Sequence, residues 1–358
     1  MNEIKIEYQS NLEKDKYKVN NNKSQSIIND KKDPKTLHFK KDLIINDAYS
    51  SLADNTSLII KTLDDLFLII YPTKDRTLIC YDIINNKKVN EVRNAHDNPI
   101  TGLRYYPDAY NKMNLMLTLS SNYNHIKIWN LGNFQCLLDF EKINESGWIN
   151  SACFLNDNNQ IYFLSSNAIG FSKRPAPIRV YDLKGKLIKE IEDSNINTYF
   201  IDYYYDNKSS KNYIITCNTC FCRSYDYNNN KIYNVYNDQA NSFHISATVN
   251  ILGDKTNLIE SCQDGKIRIW DFHSGKILHK IIVSNNSSLY GICLWNDDYL
   301  MVGSENESIK IIDLNEKKEI ASLNSYKNKV TMIRKLFHPK LGEFLVSQNH
   351  SNGFKLWY

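Results

Sequence analysis

The chain has 358 residues, a formal net charge of +4, and a composition that is 42% hydrophobic and 12% aromatic. Acidic and basic residues are interspersed, which argues against a nucleic-acid-binding arm or a polybasic membrane patch. No stretch approaches the roughly 18 uncharged apolar residues that a membrane-spanning helix needs. The 24 tyrosines and only 12 glycines favour strands throughout.

Residues 1–33 are polar, and their acidic and basic side chains nearly cancel. We expect a flexible extension there, and a short helix that orders on a partner is the alternative. The first residues contain no apolar segment of the kind that directs secretion. We therefore expect a cytoplasmic protein whose eight cysteines are reduced thiols.

Beyond the extension, one pattern recurs along the chain. Seven short stretches alternate apolar and polar residues, the two-residue period of a strand, and most end on an aromatic residue followed by Asp or Asn. Two clear examples are residues 126–130 (IKIWN) and 267–271 (IRIWD). The stretches end at residues 82, 130, 182, 226, 271, 313 and 358. The repeat length of 42 to 52 residues suits a unit of four strands.

In the first repeat, the pattern predicts strands over residues 57–61, 66–71, 77–82 and 87–92. The run Leu66–Ile70 is continuously apolar, as in a strand that is buried on both faces. The same order of an inner strand, two middle strands and an outer strand is then expected to recur along the chain.

The fifth repeat carries the most specific motif. Residues 260–271 (ESCQDGKIRIWD) resemble the core of the WD40 family, in which a Ser, an Asp-Gly turn and a closing Trp-Asp follow at fixed spacing. The resemblance implies an all-β fold, a seven-bladed β-propeller of four-stranded antiparallel blades over residues 34–358. It also implies a buried hydrogen-bonded set in this blade, made of His244, Ser261, Asp264 and Trp270.

The other repeats match the family pattern less closely. The second keeps His96 and Trp129 but has Asn122 and Asn124 where the turn Asp would stand. The sixth closes on Ile312-Asp313, without an aromatic residue. The assignment therefore depends on the spacing of all seven repeats and on the motif of the fifth.

The seventh closing motif lies at residues 354–358, which leaves the last blade one strand short. An unpaired edge is prone to aggregation, and propellers protect theirs. Residues 36–45 have strand character. We predict that this segment supplies the missing outer strand, and the alternative is that it only lies across a face of the ring.

We expect no enzyme, metal site or cofactor. The segment Cys217–Cys222 contains one CxxC pair, but the chain has no second pair, and a closed zinc site needs four ligands. No common hydrolase, dinucleotide-binding or P-loop motif occurs. A hydrolytic propeller remains the least favoured alternative, with Asp75, Asp264, Glu305 and His350 as residues that could share one face.

By the same resemblance, partners dock where the turns between second and third strands meet the connections between blades. Residues 166–177 lengthen the third repeat, and they are either a docking loop or a tolerated insertion. Trp148 either faces the channel mouth or packs beneath the preceding loop. The predicted partner-binding residues are Lys74, Arg76, Trp148, Phe171, Lys173, Arg174, Asn349 and His350.

The sequence thus favours a non-catalytic protein-interaction scaffold, a monomeric subunit of a larger assembly. Its basic and aromatic candidates suit an acidic or phosphorylated peptide. We expect no membrane partner and no direct nucleic-acid partner. A subunit of an RNA-processing or ribosome-associated complex is the alternative reading.

Overall fold

Seven antiparallel sheets of four strands each form the protein. The computed structural model describes residues 33–43, 56–120, 125–140, 149–167, 177–191, 198–240, 242–285, 287–324, 327–350 and 353–358. Within these ranges the only helical element is a 3-10 turn at Pro34–Thr36, and no helix is long and apolar enough to span a bilayer. The predicted extension over residues 1–33 lies outside the described part, apart from Asp33.

The first strand of each sheet lies on the inside of the ring. Each first strand contacts the first strand of both neighbouring sheets, and the seventh contacts the first, so the ring of blades is closed. With strands numbered in chain order, these inner strands are β2 (Leu58–Lys61), β6 (Ile100–Asp108), β10 (Ile149–Asp157), β14 (Thr198–Asp206), β18 (His244–Leu252), β22 (Leu289–Leu294) and β26 (Val330–His338).

The two middle strands of each blade are almost wholly buried, as their apolar runs predict. The second strands are β3 (Phe67–Pro72), β7 (Met113–Ser120), β11 (Gln160–Asn167), β15 (Lys211–Asn218), β19 (Lys255–Cys262), β23 (Tyr299–Ser304) and β27 (Gly342–Asn349). The third strands are β4 (Leu78–Asp82), β8 (His125–Asn130), β12 (Ile178–Asp182), β16 (Cys222–Asp226), β20 (Lys266–Asp271), β24 (Ser308–Asp313) and β28 (Phe354–Trp357).

The fourth strands form the outer edge and are largely exposed. In six blades they follow the third strand along the chain, and in the last blade the N-terminal strand takes this place. They are β5 (Lys87–Val92), β9 (Gln135–Phe140), β13 (Leu187–Ile191), β17 (Lys231–Tyr236), β21 (Ile277–Ile282), β25 (Lys318–Asn324) and β1 (Phe39–Leu43).

The Asp or Asn that ends each of the first six repeats has a local structural role. Its side chain accepts backbone N–H groups of the turn that leads into the fourth strand. The Asp82 carboxylate accepts the N–H groups of Ile84 and Asn85, each at 2.9 Å, and Asp313 does the same for Asn315 and Glu316. Asp and Asn stabilise turns in this way, which explains why the repeats end on these residue types.

The hydrophobic core is divided among the interfaces between blades. Each of seven clusters of buried side chains joins two neighbouring blades, and together they cover every interface of the ring. The closing aromatic residues lie in these clusters, for example Trp129 between blades one and two and Trp270 between blades four and five. Ile312 takes that place in blade six, so an aliphatic side chain also suffices there.

The closure predicted for the last blade is confirmed. Strand β1 pairs antiparallel with β28, with Phe39 opposite Trp357 and Leu43 opposite Phe354. The two backbone hydrogen bonds between His38 and Tyr358 extend this pairing by one residue on each side. The predicted segment continued to residue 45, and Ile44 and Ile45 lie outside the described residues.

A β-bulge interrupts the inner strand of blades two to seven near its start. A bulge re-aims the side chain of the extra residue. The bulged positions include Tyr199 in blade four and Tyr290 in blade six. These residues stand at the end of the ring where the connections between blades arrive, which is where a docking site is expected.

Candidate functional site

Two sets of loops meet at one end of the ring. The turn between the second and third strands of a blade is hydrogen-bonded to the connection that links two blades. The N–H of Ala95 donates to the Arg76 carbonyl at 3.0 Å, that of Gln263 to Phe243 at 3.0 Å, and that of His350 to Lys329 at 2.9 Å. We call this end the turn face. The WD40 resemblance implies that these loops share one face.

The turns of blades one, five and six have the same backbone shape. In each, a residue within two positions of the start of the third strand has a left-handed φ: 68° at Arg76, 76° at Gly265 and 61° at Glu307. In blade one, Asp75 accepts the Thr73 hydroxyl, and chiefly this hydrogen bond lowers the pKa of Asp75. The turns are therefore held by their own side chains, which gives a rigid surface.

The structure separates the described members of the predicted binding set. Lys74 is exposed, and Arg76 is half-buried with its guanidinium donating to the Asp97 carbonyl at 2.9 Å. His350 is half-buried, and burial together with the nearby Lys329 lowers its pKa. Asn349 is buried, and its side-chain oxygen accepts the Gly353 N–H at 2.7 Å, so it stabilises the turn.

The other four predicted partner-binding residues lie outside the described part of the chain. These are Trp148, Phe171, Lys173 and Arg174. The first lies in residues 141–148 and the other three lie in residues 168–176; residues 121–124 are also outside it. Whether the longer third repeat forms a docking loop, and where Trp148 points, stay predictions.

An exposed aromatic pair on the turn face escaped the sequence analysis. Tyr199 and Phe243 are 37% and 39% exposed, and their ring centroids lie 5.6 Å apart. Tyr199 is the bulged residue of β14, and Phe243 directly precedes β18. Only sequence position could have indicated the exposure of Phe243, because Phe243 directly precedes its inner strand just as Trp148 directly precedes β10.

Positive charge lies next to aromatic rings elsewhere on this face. The Arg223 guanidinium lies 4.4 Å from the centroid of the Phe221 ring, and the Lys329 ammonium lies 5.4 Å from that of Tyr290. Lys327 is exposed beside Lys329 in the connection that enters blade seven. The turn of blade six carries the exposed carboxylates of Glu305 and Glu307. The face thus combines basic-aromatic and acidic sectors.

The predicted hydrogen-bonded set of blade five is built differently. His244 and Trp270 are joined by Glu260: the carboxylate lies 2.8 Å from His244 Nδ1 and accepts the Trp270 indole N–H at 2.9 Å. Ser261 is the next residue along the strand, so its side chain points to the other face, where its hydroxyl donates to the Tyr290 carbonyl at 2.5 Å. Glu260 therefore takes the role that the sequence analysis gave to Ser261.

Asp264 also lies outside that set. It accepts two hydrogen bonds from the buried Arg268 guanidinium, at 3.1 and 2.7 Å. Burial acts to raise the pKa of Asp264, but Arg268 outweighs it, and the pKa lies below its usual value. Asp238 binds both Arg268 and Lys280, and these cations hold its pKa below the usual range despite burial. This ionic network joins the turn of blade five to the connection that precedes it.

Blade two contains three of the four side-chain types that the family resemblance implies for such a set, namely the histidine, the hydroxyl and the tryptophan. His96 Nε2 lies 2.6 Å from the Thr118 hydroxyl, which also accepts the Trp129 indole N–H at 2.9 Å. All three side chains are buried. Burial is the main cause that lowers the pKa of His96 to about 3, so the ring is neutral at pH 7.

In blade four, the two cysteines that contact each other are not the two cysteines of the CxxC pair. Cys217 is opposite Cys222 across strands β15 and β16, and their sulfur atoms lie 2.8 Å apart. Cys220 is half-buried in the turn beside Thr219. The Cys222 sulfur lies 2.6 Å from Glu260, so the thiol pair touches the His244–Glu260 contact of blade five.

The acidic and histidine residues considered for hydrolysis lie in four different blades. Asp264 is hydrogen-bonded to Arg268, and Asp75 to Thr73 within its own turn.

No family model matches this sequence, and no curated protein matches it. The architecture itself defines the class, a seven-bladed β-propeller of four-stranded antiparallel blades.

Proposed function

We propose that the protein is a cytoplasmic, non-catalytic scaffold of the WD40 type, a monomeric subunit that docks a partner protein on the turn face. The observation that carries the proposal is the exposed pair Tyr199–Phe243. A propeller offers many loops of modest sequence constraint on a rigid ring, which suits recognition.

The WD40 assignment is supported by the local structure of the repeats. The Asp or Asn that closes a repeat caps the following turn, and blade two has the His–hydroxyl–Trp arrangement of His96, Thr118 and Trp129. Blade seven keeps part of it, since the Trp357 indole donates to the Ser347 hydroxyl at 2.7 Å.

The aromatic pair suits an interface anchor. The two rings lie against each other, with centroids 5.6 Å apart, and the Phe243 carbonyl accepts the Gln263 N–H. Few rotamers are then lost when a partner covers them, and aromatic residues are enriched among those that dominate binding energy.

The charge on the same face favours an acidic or phosphorylated segment as the ligand. Lys74, Arg76, Lys327 and Lys329 lie on blades one and seven. The carboxylates of Glu305 and Glu307 on blade six would disfavour such a segment there and thereby set its direction.

The test uses the tagged full-length chain expressed in its own cells, with quantitative mass spectrometry of co-purifying proteins. Tyr199→Ala with Phe243→Ala is expected to reduce recovery of the main partners at least tenfold. Tyr110→Ala is the matched control, because Tyr110 is 76% exposed in the turn between β6 and β7, at the opposite end of the strands.

A charge reversal, Arg76→Glu with Lys327→Glu, tests the chemistry of the ligand. It should weaken binding and make the remaining binding less sensitive to salt. Unchanged recovery with both double variants would contradict docking on this face. Recovery that is abolished by ribonuclease would instead favour an RNA-containing assembly.

A further inference from the structure

A second group of side chains lies just beneath the turn face, buried between blades four and five. Cys217 and Cys222 come from blade four, and His244, Glu260 and Cys262 come from blade five. Every one of these five side chains is fully buried. We call them the inter-blade cluster.

The donor atoms of three members of this cluster converge on a small volume, and each of the other two contacts one of these three. Glu260 Oε2 lies 2.6 Å from Cys222 Sγ and 2.8 Å from His244 Nδ1. One ligand atom from each of these three residues lies within 4.8 Å of the other two. Cys217 Sγ is 2.8 Å from Cys222 Sγ, and Cys262 Sγ is 3.6 Å from His244 Nδ1.

Blade two shows that a blade forms without a buried carboxylate and buried thiols at this position. There a neutral hydroxyl, Thr118, joins the histidine and the tryptophan at the same place in the repeat. Blade five has a carboxylate, Glu260, in that position, and the neighbouring blade adds two thiols beside it. A change from hydroxyl to carboxylate in a fully buried site is unfavourable unless the carboxylate oxygens have strong binding partners.

The described residues provide no strong cation for Glu260. Among the described residues its carboxylate contacts His244, Trp270 and Cys222. Arg268, which is opposite Glu260 in the ladder, gives its guanidinium hydrogen bonds to Asp238 and Asp264. A metal ion held by the thiol, imidazole and carboxylate groups would bind this carboxylate oxygen directly.

The donor set indicates which cation fits. Thiolate sulfur and imidazole nitrogen together select a borderline-soft divalent ion, and carboxylate oxygen is tolerated by zinc but not by a purely thiophilic ion. Tetrahedral zinc with bonds of about 2.0–2.3 Å holds its donors about 3.3–3.8 Å apart, so the three contacts of 2.6–2.8 Å within the cluster need to open by about 1 Å or less.

We propose that a zinc ion coordinated by Cys217, Cys222, His244 through Nδ1, and Glu260 joins blades four and five. Zinc binding releases the thiol protons to solvent and leaves two thiolates on the metal. Cys262 lies against the imidazole and closes that side. Because all four ligands are buried protein groups, the ion is structural, and no position is left open for a substrate.

The primary test measures metal in the purified full-length chain. Protein prepared without chelators, or the thiol-reduced apoprotein titrated with zinc chloride, should contain about one zinc per chain. Replacement by Co²⁺ should give the intense near-ultraviolet band of thiolate-to-cobalt charge transfer and the visible bands of tetrahedral cobalt.

Two variants assign the ligands. Cys222→Ser and Glu260→Gln should each lower zinc affinity by at least tenfold, and Cys222→Ser should weaken the charge-transfer band. Cys80→Ser is the matched control, because Cys80 is also buried on a third strand but lies in blade one, outside the inter-blade cluster. It should retain full zinc content.

Chelation supplies a readout that does not depend on how well a variant folds. Chelation should lower the melting temperature of the unmodified protein by several degrees. Chelation of the cobalt-loaded protein should remove the charge-transfer band. The proposal is overturned if the reduced, folded protein takes up no stoichiometric zinc, if Co²⁺ gives no thiolate band, or if Cys217 and Cys222 are found as a disulfide.

Discussion

Asp42 and Lys355 are 313 residues apart in the sequence and form an ion pair, with Lys355 Nζ 2.5 Å from Asp42 Oδ1. The pair lies on the ladder between β1 and β28, next to the ring contact of Phe39 with Trp357 at 5.9 Å. The two ends of the described fold are thereby held in one blade. An exposed pair adds less than about 1 kcal/mol, so the strand pairing and the burial of Leu43 supply most of the stabilisation.

Deletion of residues 1–46 is therefore expected to lower the melting temperature sharply, by about 10 °C or more, since it removes a whole strand and exposes the edge of β28. Differential scanning calorimetry measures the shift, and light scattering should show increased self-association. Deletion of residues 1–32 is the matched control and should leave the melting temperature nearly unchanged. Equal melting temperatures for both truncations would contradict the role of β1.

This closure could be predicted because it follows from counting strands. The periodic ending of the repeats sets the number of blades, and the last ending at Tyr358 leaves one strand missing. In the first repeat the predicted strands agree with Leu58–Lys61, Phe67–Pro72, Leu78–Asp82 and Lys87–Val92 to within one residue. Hydrophobic alternation and turn residues are local signals, and both were strong here.

The buried hydroxyl of blade two is expected to contribute measurably to stability. Thr118→Val keeps the shape of the side chain but removes the partner of His96 Nε2 and of the Trp129 indole N–H. Buried polar groups left without a partner cost about 1–3 kcal/mol each, so the free energy of unfolding should fall by about 2–6 kcal/mol. Urea denaturation measures the change.

Thr118→Ser is the control for this substitution, because it retains the hydroxyl and removes only a methyl group. It should cost about 1 kcal/mol. A Thr118→Val variant as stable as the serine variant would mean that water or a rearranged side chain satisfies the histidine and the tryptophan.

Blade five shows why the site was harder to predict than the fold. The family spacing pointed to Ser261, but strand alternation aims Ser261 away from His244 and aims Glu260 toward it. A shift of one residue along a strand reverses the face, and spacing alone does not reveal it. Tyr199 was missed for a related reason, because a bulge determines its exposure.

The pH dependence of stability should carry the signature of His96. Burial is the largest cause that lowers its pKa to about 3, with His125 and Lys127 adding to the effect and Asp139 opposing it. The ring is neutral in the folded state, whereas an unfolded histidine titrates near 6.5. Between these values the unfolded state binds the extra proton, so the stabilisation is present above pH 6.5 and is lost as the pH falls toward 3.

A difference measurement isolates this contribution from those of the carboxylates. The free energy of unfolding at pH 7 minus that at pH 5 should be about 2 kcal/mol larger for the unmodified protein than for His96→Gln. Glutamine can still hydrogen-bond to Thr118 but does not titrate. The assignment fails if both proteins lose the same stability over this range.

Two glycines distinguish backbone strain from steric contact. Both have a left-handed φ, 76° at Gly265 and 73° at Gly342, so alanine is strained at each position. A Cβ at Gly342 would meet open space, but at Gly265 it would lie 2.0 Å from the Ser284 carbonyl oxygen. That carbonyl belongs to the connection between blades five and six, and the N–H groups of Val283 and Ser284 both donate to the Gly265 carbonyl.

Gly342→Ala should therefore cost about 1 kcal/mol, the strain alone. Gly265→Ala should cost at least about 2 kcal/mol more, because the connection has to move and its two hydrogen bonds have to lengthen. Chemical denaturation of both variants gives the comparison, and faster amide hydrogen exchange at Val283 and Ser284 should accompany Gly265→Ala only. Equal losses at the two positions would show that the connection yields freely, and the turn face would then not be the rigid surface that docking by Tyr199 and Phe243 requires.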